Sequence, residues 1–469
     1  MVVNDRPPAA PGLEADLALA GRFPGEFVWG VATSAFQIEG AAHVDGRGDS
    51  VWDVFCRLPG VIADGSNGDR ACDHYTRYRD DVRLMAELEI RAYRFSASWP
   101  RVQTTGSGPW NDRGFAFYDR LIDTLLSHGI APHLTLNHWD LPQALQEAGG
   151  WTNRDIIARF TEYALEVGRR FGNRLESITT HNEPWVMAIL GHETGIFAPG
   201  IKSRQAAMQA SHHLLVSHGS AVRALRATGL VTPLGIVLNQ SPIHPATASP
   251  EDYAKARLDD GLIIRWYMDP LLTGSYPEDV IAHLGADAPT VVDGDMELIR
   301  QPVDFLGINY YTRSVSGTGT ATIPVEGKRE VTDMGWEVWP AGLTELLLRL
   351  HADYTLPPVY IMENGAAYAD QLVGGRVADT DRIRYLHSHI GALADAIAGG
   401  VDVRGYFVWS LLDNFEWAEG YKKRFGIIHV DYETLVRTPK DSAYWYREFL
   451  RGARRMTGKS GLAQLPEGR

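Results

Sequence analysis

Two glutamates stand in short polar contexts suited to acid–base chemistry. Glu183 lies in Thr179-Thr180-His181-Asn182-Glu183-Pro184-Trp185, and Glu363 in Tyr360-Ile361-Met362-Glu363-Asn364-Gly365. A carboxyl pair can protonate a leaving oxygen with one member and attack, or activate water, with the other, as glycoside hydrolysis requires. Taken singly, each glutamate could equally cap a helix or pair with an arginine, and an isolated Asn-Glu-Pro or Glu-Asn-Gly is a weak signal. Other chemistries lack their residues. There is no His-Glu-x-x-His and no Gly-x-Ser-x-Gly, and no Gly-x-Gly-x-x-Gly or Gly-Lys-Ser/Thr phosphate loop follows a strand. His212-His213 reads as a helix-surface or core feature, Gly317-Thr318-Gly319-Thr320 as a flexible loop, and Lys422-Lys423-Arg424 as a solvated turn whose place after Trp417 keeps a substrate-side role open.

For the glutamates to meet, the fold must bring distant segments together. Short runs rich in β-branched and aromatic residues recur near Phe27–Ala32, Ala92–Ser96, Pro132–Leu136, Ser177–Thr180, Leu234–Leu238, Phe305–Ile308, Val359–Met362 and Tyr406–Trp409. Several are continuously apolar, as strands buried on both faces should be. Amphipathic helical patterns separate them over Tyr75–Leu88, Phe117–Leu126, Ile156–Val167, Ala206–Leu225, Leu343–Leu350 and Ile383–Ile397. Gly129 and Gly399-Gly400 follow two of these, where left-handed C-caps are expected. This alternation predicts an α/β fold, a single (β/α)8 TIM barrel with long βα loops; a doubly wound sheet is the alternative from pattern alone. Past the strand ends come Gln37, His138-Trp139, Asn182-Glu183, Asn309-Tyr310-Tyr311, Glu363-Asn364 and Glu416-Trp417. In a parallel barrel these ends open on one face, so the six groups should share a rim.

Composition bounds the partners. The 469 residues carry 45 Lys and Arg against 58 Asp and Glu, a net charge of −13 that argues against nucleic acid or an anionic membrane as partner. A neutral small molecule remains compatible, and 13 Trp and 19 Tyr supply rings that stack on sugars, although most aromatics fill cores. Two cysteines, Cys56 and Cys72, are expected to be reduced. With no signal-peptide pattern and no apolar run long enough to span a bilayer, a cytoplasmic protein is expected, and the sequon Asn239-Gln240-Ser241 carries little weight. Residues 1–22 are expected as a flexible tail, 23–455 as the barrel and 456–469 as a second tail. The oligomeric state stays open between monomer and homo-oligomer.

With these residues in hand, the chain closely resembles glycoside hydrolase family 1, in its bacterial β-glucosidase branch. The run Phe27-Val28-Trp29-Gly30-Val31-Ala32-Thr33-Ser34-Ala35-Phe36-Gln37-Ile38-Glu39-Gly40 matches the opening signature of that family. Asn182-Glu183-Pro184 and Ile361-Met362-Glu363-Asn364-Gly365 resemble its acid/base and nucleophile motifs, and Trp409 to Trp417 with Arg437-Thr438-Pro439-Lys440 are also similar. The likeness covers roughly Phe23 to Leu450. It implies a retaining β-glycosidase with no cofactor and no metal, acting on a small β-glucoside or short oligosaccharide. Glu363 would be the nucleophile and Glu183 the acid/base, with the carboxyls about 5–5.5 Å apart. Gln37, His138, Asn182, Glu416 and Trp417 would bind hydroxyls of the non-reducing sugar, together with Trp139, and Trp409 would lie under the ring. Tyr311 would hydrogen-bond the nucleophile beside Asn309, and Trp336 would line the aglycone side. Two departures stand out: His181 replaces a usually apolar residue and Met362 a usual Thr. A 6-phospho-β-glycosidase would carry a small polar residue in place of Glu416, a plant-type thioglucosidase would lack the acid at Glu183, and a non-catalytic sugar-binding barrel would lose a carboxylate.

Overall fold

Eight parallel strands form a closed ring: β1 Val28–Ala32, β2 Ala92–Ser96, β3 Ala131–Asn137, β4 Ser177–Asn182, β5 Leu234–Asn239, β6 Phe305–Asn309, β7 Val359–Asn364 and β8 Val403–Trp409. Each pairs with its successor and β8 closes on β1, with Ala32 opposite Trp409. The computed structural model describes residues 12–319 and 330–456. Strand sequences follow from double-sided burial: all five residues of β2 are buried, including Arg94, so alternation is absent and the run reads as apolar.

The surrounding helices are amphipathic. They are α1 Leu13–Ala20, α2 His74–Glu87, α3 Asp112–Ser127, α4 Ile156–Phe171, α5 Arg204–Ala227, α6 Pro340–Asp353, α7 Thr380–Ala398 and α8 Asp441–Met456. In α4 the buried residues are Ile156, Phe160, Tyr163, Ala164, Val167, Gly168 and Phe171, a stripe at spacings of three and four turned to the barrel. Gly129 (φ +66°) ends α3 in the left-handed region; after α7 that position falls on Gly400 (φ +100°), Gly399 being right-handed (φ −77°). The β5–β6 connection holds helices over Pro250–Asp260, Trp266–Leu272, Glu278–Leu284 and Asp295–Ile299, where the sequence pattern indicated none. A π-helical segment over Gly261–Arg265 joins the first two into one continuous run with Pro270 inside it, and Pro277 stands at the N-cap of the third.

Several expectations change. The expected tail over residues 1–22 contains α1, which packs on α8 through buried Leu19 and Ala20, while Trp445 Nε1 donates to Asp16 at 3.1 Å. The last helix runs to Met456, one residue past the expected boundary. His212 and His213 are core features: His212 joins Tyr276 Oη and Asp295, each at 2.9 Å. Within the expected Gly317–Thr320 loop, the Thr318 amide donates to Asp252 at 2.8 Å, and Thr320 lies outside the described residues. Both cysteines are free thiols. Among the described residues no helix is long and apolar enough to cross a membrane.

Candidate active site

The carboxyl-terminal ends of the strands build one cavity of about 260 Å³. Of the residues singled out from sequence, His138, Trp139, Glu183, Asn309, Tyr311, Trp336, Glu363, Trp409, Glu416 and Trp417 line it. Gln37 and Asn182 do not; both are fully buried behind the wall. Gln37 Nε2 donates to Asn414 Oδ1 and the Phe415 carbonyl, and its Oε1 accepts from Ser34, so its amide serves the protein. Asn182 is a hub: its Oδ1 accepts from Arg94 at 2.6 Å and from Asn309 at 3.0 Å, and its Nδ2 donates to His138 at 3.2 Å.

Glu363 ends β7 with donors on both oxygens. Arg94 donates to Oε1, and Tyr311 Oη donates to Oε2 at 2.6 Å. Arg94 is 1% exposed and its charge balances one carboxylate deep in the barrel. Gly365 lets β7 and β8 converge here, since a Cβ would sit 1.6 Å from the Trp409 carbonyl oxygen. Sequence reading missed Arg94 altogether; a lone charge inside an otherwise apolar strand was the available signal.

Glu183 follows a register irregularity in the β4–β5 pairing, its amide donating to the Val237 carbonyl at 2.8 Å. Pro184 and Trp185 then open a helical turn that continues as a π-helix over Val186–Glu193. The Glu183 backbone is left-handed (φ +50°), as are Trp139 (φ +76°) and Trp417 (φ +50°). Such positions cost about 1–3 kcal/mol each for side-chain-bearing residues and concentrate where a fold holds groups for function. Glu183 Oε1 accepts from Asn309 Nδ2 at 2.7 Å. Burial, and then the negative charge of Glu363, push its pKa up to about 8, against smaller opposing effects of Asn309 and Arg94.

The opposite wall is aromatic. The His138 ring stacks at 5.8 Å from Trp409 and 6.0 Å from Trp417, and Trp139 meets Trp417 at 4.5 Å. Burial and the nearby Arg94 hold His138 neutral. His138 Nδ1 and Glu416 Oε2 are buried there without a protein partner. Burial, then the charges of Glu363 and Glu183, push Glu416 up to about 8.

Both family departures lie off the cavity wall. His181 stacks at 4.4 Å on Phe160, accepts from Asn137 and reaches Ser217 Oγ at 2.9 Å, and burial keeps it neutral. Met362 is buried beneath the site, grouped with Val237, Phe407 and Trp409. The expected solvated turn is instead engaged: Lys422 donates to the Ala63 carbonyl, Lys423 to that of Asp333, and Arg424 pairs with Asp413. Lys422 stays exposed, as expected, whereas Lys423 and Arg424 are half-buried, the latter against the buried Asp413 carboxylate. Sequence reading also missed Gln240 and the apolar wall of Trp185, Leu190, Phe197 and Met334; apolar loop residues carry no signal that separates them from core.

The chain matches the model of glycosyl hydrolase family 1 over residues 19–454. It is 47% identical to beta-glucosidase A of Acetivibrio thermocellus, covering 92% of this chain and 98% of that protein. It is 44% identical to a 1,4-beta-D-glucan glucohydrolase of Thermotoga neapolitana, covering 92% and 98%. The structure of a family 1 β-glucosidase from Thermotoga maritima superimposes with a TM-score of 0.89 at 45% identity, over 92% of this chain and 98% of that one. A family match across nearly the whole chain, on the barrel and cavity described above, establishes that this protein belongs to glycosyl hydrolase family 1.

Proposed function

We propose that the protein is a retaining β-glucosidase that releases terminal non-reducing β-D-glucosyl residues from cello-oligosaccharides or from aryl and alkyl β-glucosides. The observation that carries this reading is the contrast between two carboxyls in one cavity. Glu363 has an arginine and a phenol on its oxygens, while Glu183 is pushed toward its protonated form by burial and by Glu363. The β-glucosidase names of the relatives support it.

In the proposed reaction Glu363 attacks the anomeric carbon as Glu183 gives its proton to the departing oxygen. The glycosyl ester that forms has no charge at Glu363, so the repulsion that raised Glu183 disappears and Glu183 becomes a base for water. Water then adds to the same face the leaving group occupied. Glu416, His138 and Trp417 would hold hydroxyls of the non-reducing sugar over Trp409, with Trp139 behind them, and Gln37 and Asn182 would act from the layer beneath. Tyr311 would orient Glu363, Asn309 would orient Glu183, and Trp336 would flank the leaving group. Each step moves protons and electron pairs among side chains, water and substrate, with no cofactor.

Proton NMR of the first sugar released from an aryl β-glucoside should show the β-anomer, with α appearing only by mutarotation. Initial α-glucose would overturn the double displacement.

The raised Glu183 pKa gives a pH expectation with a definite sign. Glu183 must be protonated to act as acid, so kcat/KM for an alkyl glucoside or cellobiose should fall about tenfold per pH unit above about pH 8. A dinitrophenyl glucoside, whose leaving group needs little protonation, should show a much weaker alkaline limb. Identical limbs for both substrates would place the titration on Glu416, which shifts to the same range.

A further inference from the structure

We infer that Gln240 reads hydroxyl groups on the leaving group, so that the cavity is built for a second sugar rather than an apolar aglycone. This rests on the β-glucosidase reading and names the substrate class within it.

Gln240 follows β5 directly and is fixed at the backbone, its amide donating to the Asn309 carbonyl at 3.0 Å with Pro242 two residues on. Its side chain is 2% exposed and lines the same cavity as Glu183 and Trp336. Neither Nε2 nor Oε1 has a protein partner. Buried polar groups are nearly always hydrogen-bonded, and a buried amide with both ends unpartnered on a residue that lines a cavity is unusual. Gln37 gives the contrast: it is equally buried near the rim, and both ends of its amide are engaged.

Position separates Gln240 from two of the other unpartnered atoms of the cavity residues. His138 Nδ1 and Glu416 Oε2 belong to the Trp409–Trp417 wall, whereas the third, Asn309 Oδ1, is on Gln240's own neighbour. Gln240 instead adjoins Asn309, whose Nδ2 holds Glu183, the group that must face the departing oxygen. The rest of the cavity wall is largely apolar, with Trp185, Leu190, Met334 and Trp336, and with Phe197 beside Trp139 and Trp417. A primary amide offers two N–H donors and a carbonyl acceptor. Sugar hydroxyls both donate and accept, so one amide can engage two of them; an unsubstituted phenyl group can engage neither end.

The test compares kcat/KM for cellobiose and phenyl β-glucoside in wild type, Gln240→Met and Gln240→Asn. Methionine conserves volume and removes the amide. Gln240→Met should lose on the order of thirtyfold on cellobiose, as two neutral hydrogen bonds warrant, and about threefold or less on the phenyl glucoside. Gln240→Asn should fall between. A folding defect lowers both substrates alike, so equal losses, or no loss on cellobiose, would overturn the inference. A second readout uses the trapped 2-fluoroglucosyl enzyme: added glucose should speed its turnover in wild type and much less in Gln240→Met, and equal acceleration would also overturn it. Wild type inactive on both substrates would remove the β-glucosidase reading itself; activity on phenyl glucoside with an unchanged substrate ratio removes only the role of Gln240.

Discussion

Glu363→Ala is expected to lower kcat by about five orders of magnitude or more on every β-glucoside, because in the proposed reaction Glu363 is the carboxylate that forms the glycosyl ester while Glu183 serves as acid and base. The variant also leaves Arg94 buried beside a missing carboxylate, so its melting temperature should drop. Glu363→Gln keeps the shape and a carbonyl for Arg94 and should lose as much activity with a smaller thermal penalty. Glu183→Ala should behave differently. Dinitrophenyl glucosides still form the ester, since their leaving groups need little proton donation, while deglycosylation stalls for want of a base. Azide attacks the glycosyl enzyme on the face left open by the missing carboxyl, the carbon–oxygen bond to Glu363 breaks, and β-glucosyl azide is released. In Glu363→Ala, azide can enter only from the Glu363 side and should give the α-azide. NMR of the two azide products decides the roles, and the opposite pairing would exchange nucleophile and acid.

How much of this was legible in sequence depends on whether the physics is local. Strands such as β2 and β7 stand out because double-sided burial writes an apolar run directly into the chain. The rim positions of Glu183, Asn309, Glu363 and Glu416 follow once eight strands are recognised, because strand ends in a parallel barrel share a face. The role of Arg94, visible only as a lone charge in a strand, was hidden for the converse reason. Its compensation comes from Asn182 and Glu363, residues far along the chain, and no periodicity records that pairing. Gln37 and Gln240 make the same point: both are glutamines beyond strand ends, yet one amide is consumed by Ser34, Asn414 and Phe415 and the other has no hydrogen-bond partner in the protein. Left-handed backbone at Trp139, Glu183 and Trp417 was equally hidden, since none is a glycine and the strain is imposed by tertiary structure.

An aryl β-glucoside 6-phosphate should be rejected relative to the unphosphorylated glucoside by a thousandfold or more in kcat/KM. In the proposed binding mode, Glu416 faces the O4 and O6 hydroxyls of the non-reducing ring. Burial and its acidic neighbours raise Glu416 to about 8, so at neutral pH it holds a proton. A protonated carboxyl can donate one hydrogen bond, but it cannot neutralise the roughly −1.5 to −2 charge of a phosphate near neutral pH. No Lys or Arg lines the cavity among the described residues, and Arg94 behind it is already paired with Glu363. Lys422, Lys423 and Arg424, the nearest positive run in sequence, are each bound to protein oxygens elsewhere. An uncompensated dianion beside Glu183, Glu363 and Glu416 should therefore cost about 4 kcal/mol or more, which is the thousandfold. Glu416→Ser should narrow the ratio by opening space for hydrated phosphate and removing a carboxyl that the dianion could only meet in its protonated form. Lowering the pH below about 6 should narrow it further in wild type, because the phosphate then becomes a monoanion. A wild-type preference for the phosphorylated sugar would overturn the assignment of Glu416, since nothing on the cavity wall offers the positive charge such a preference demands.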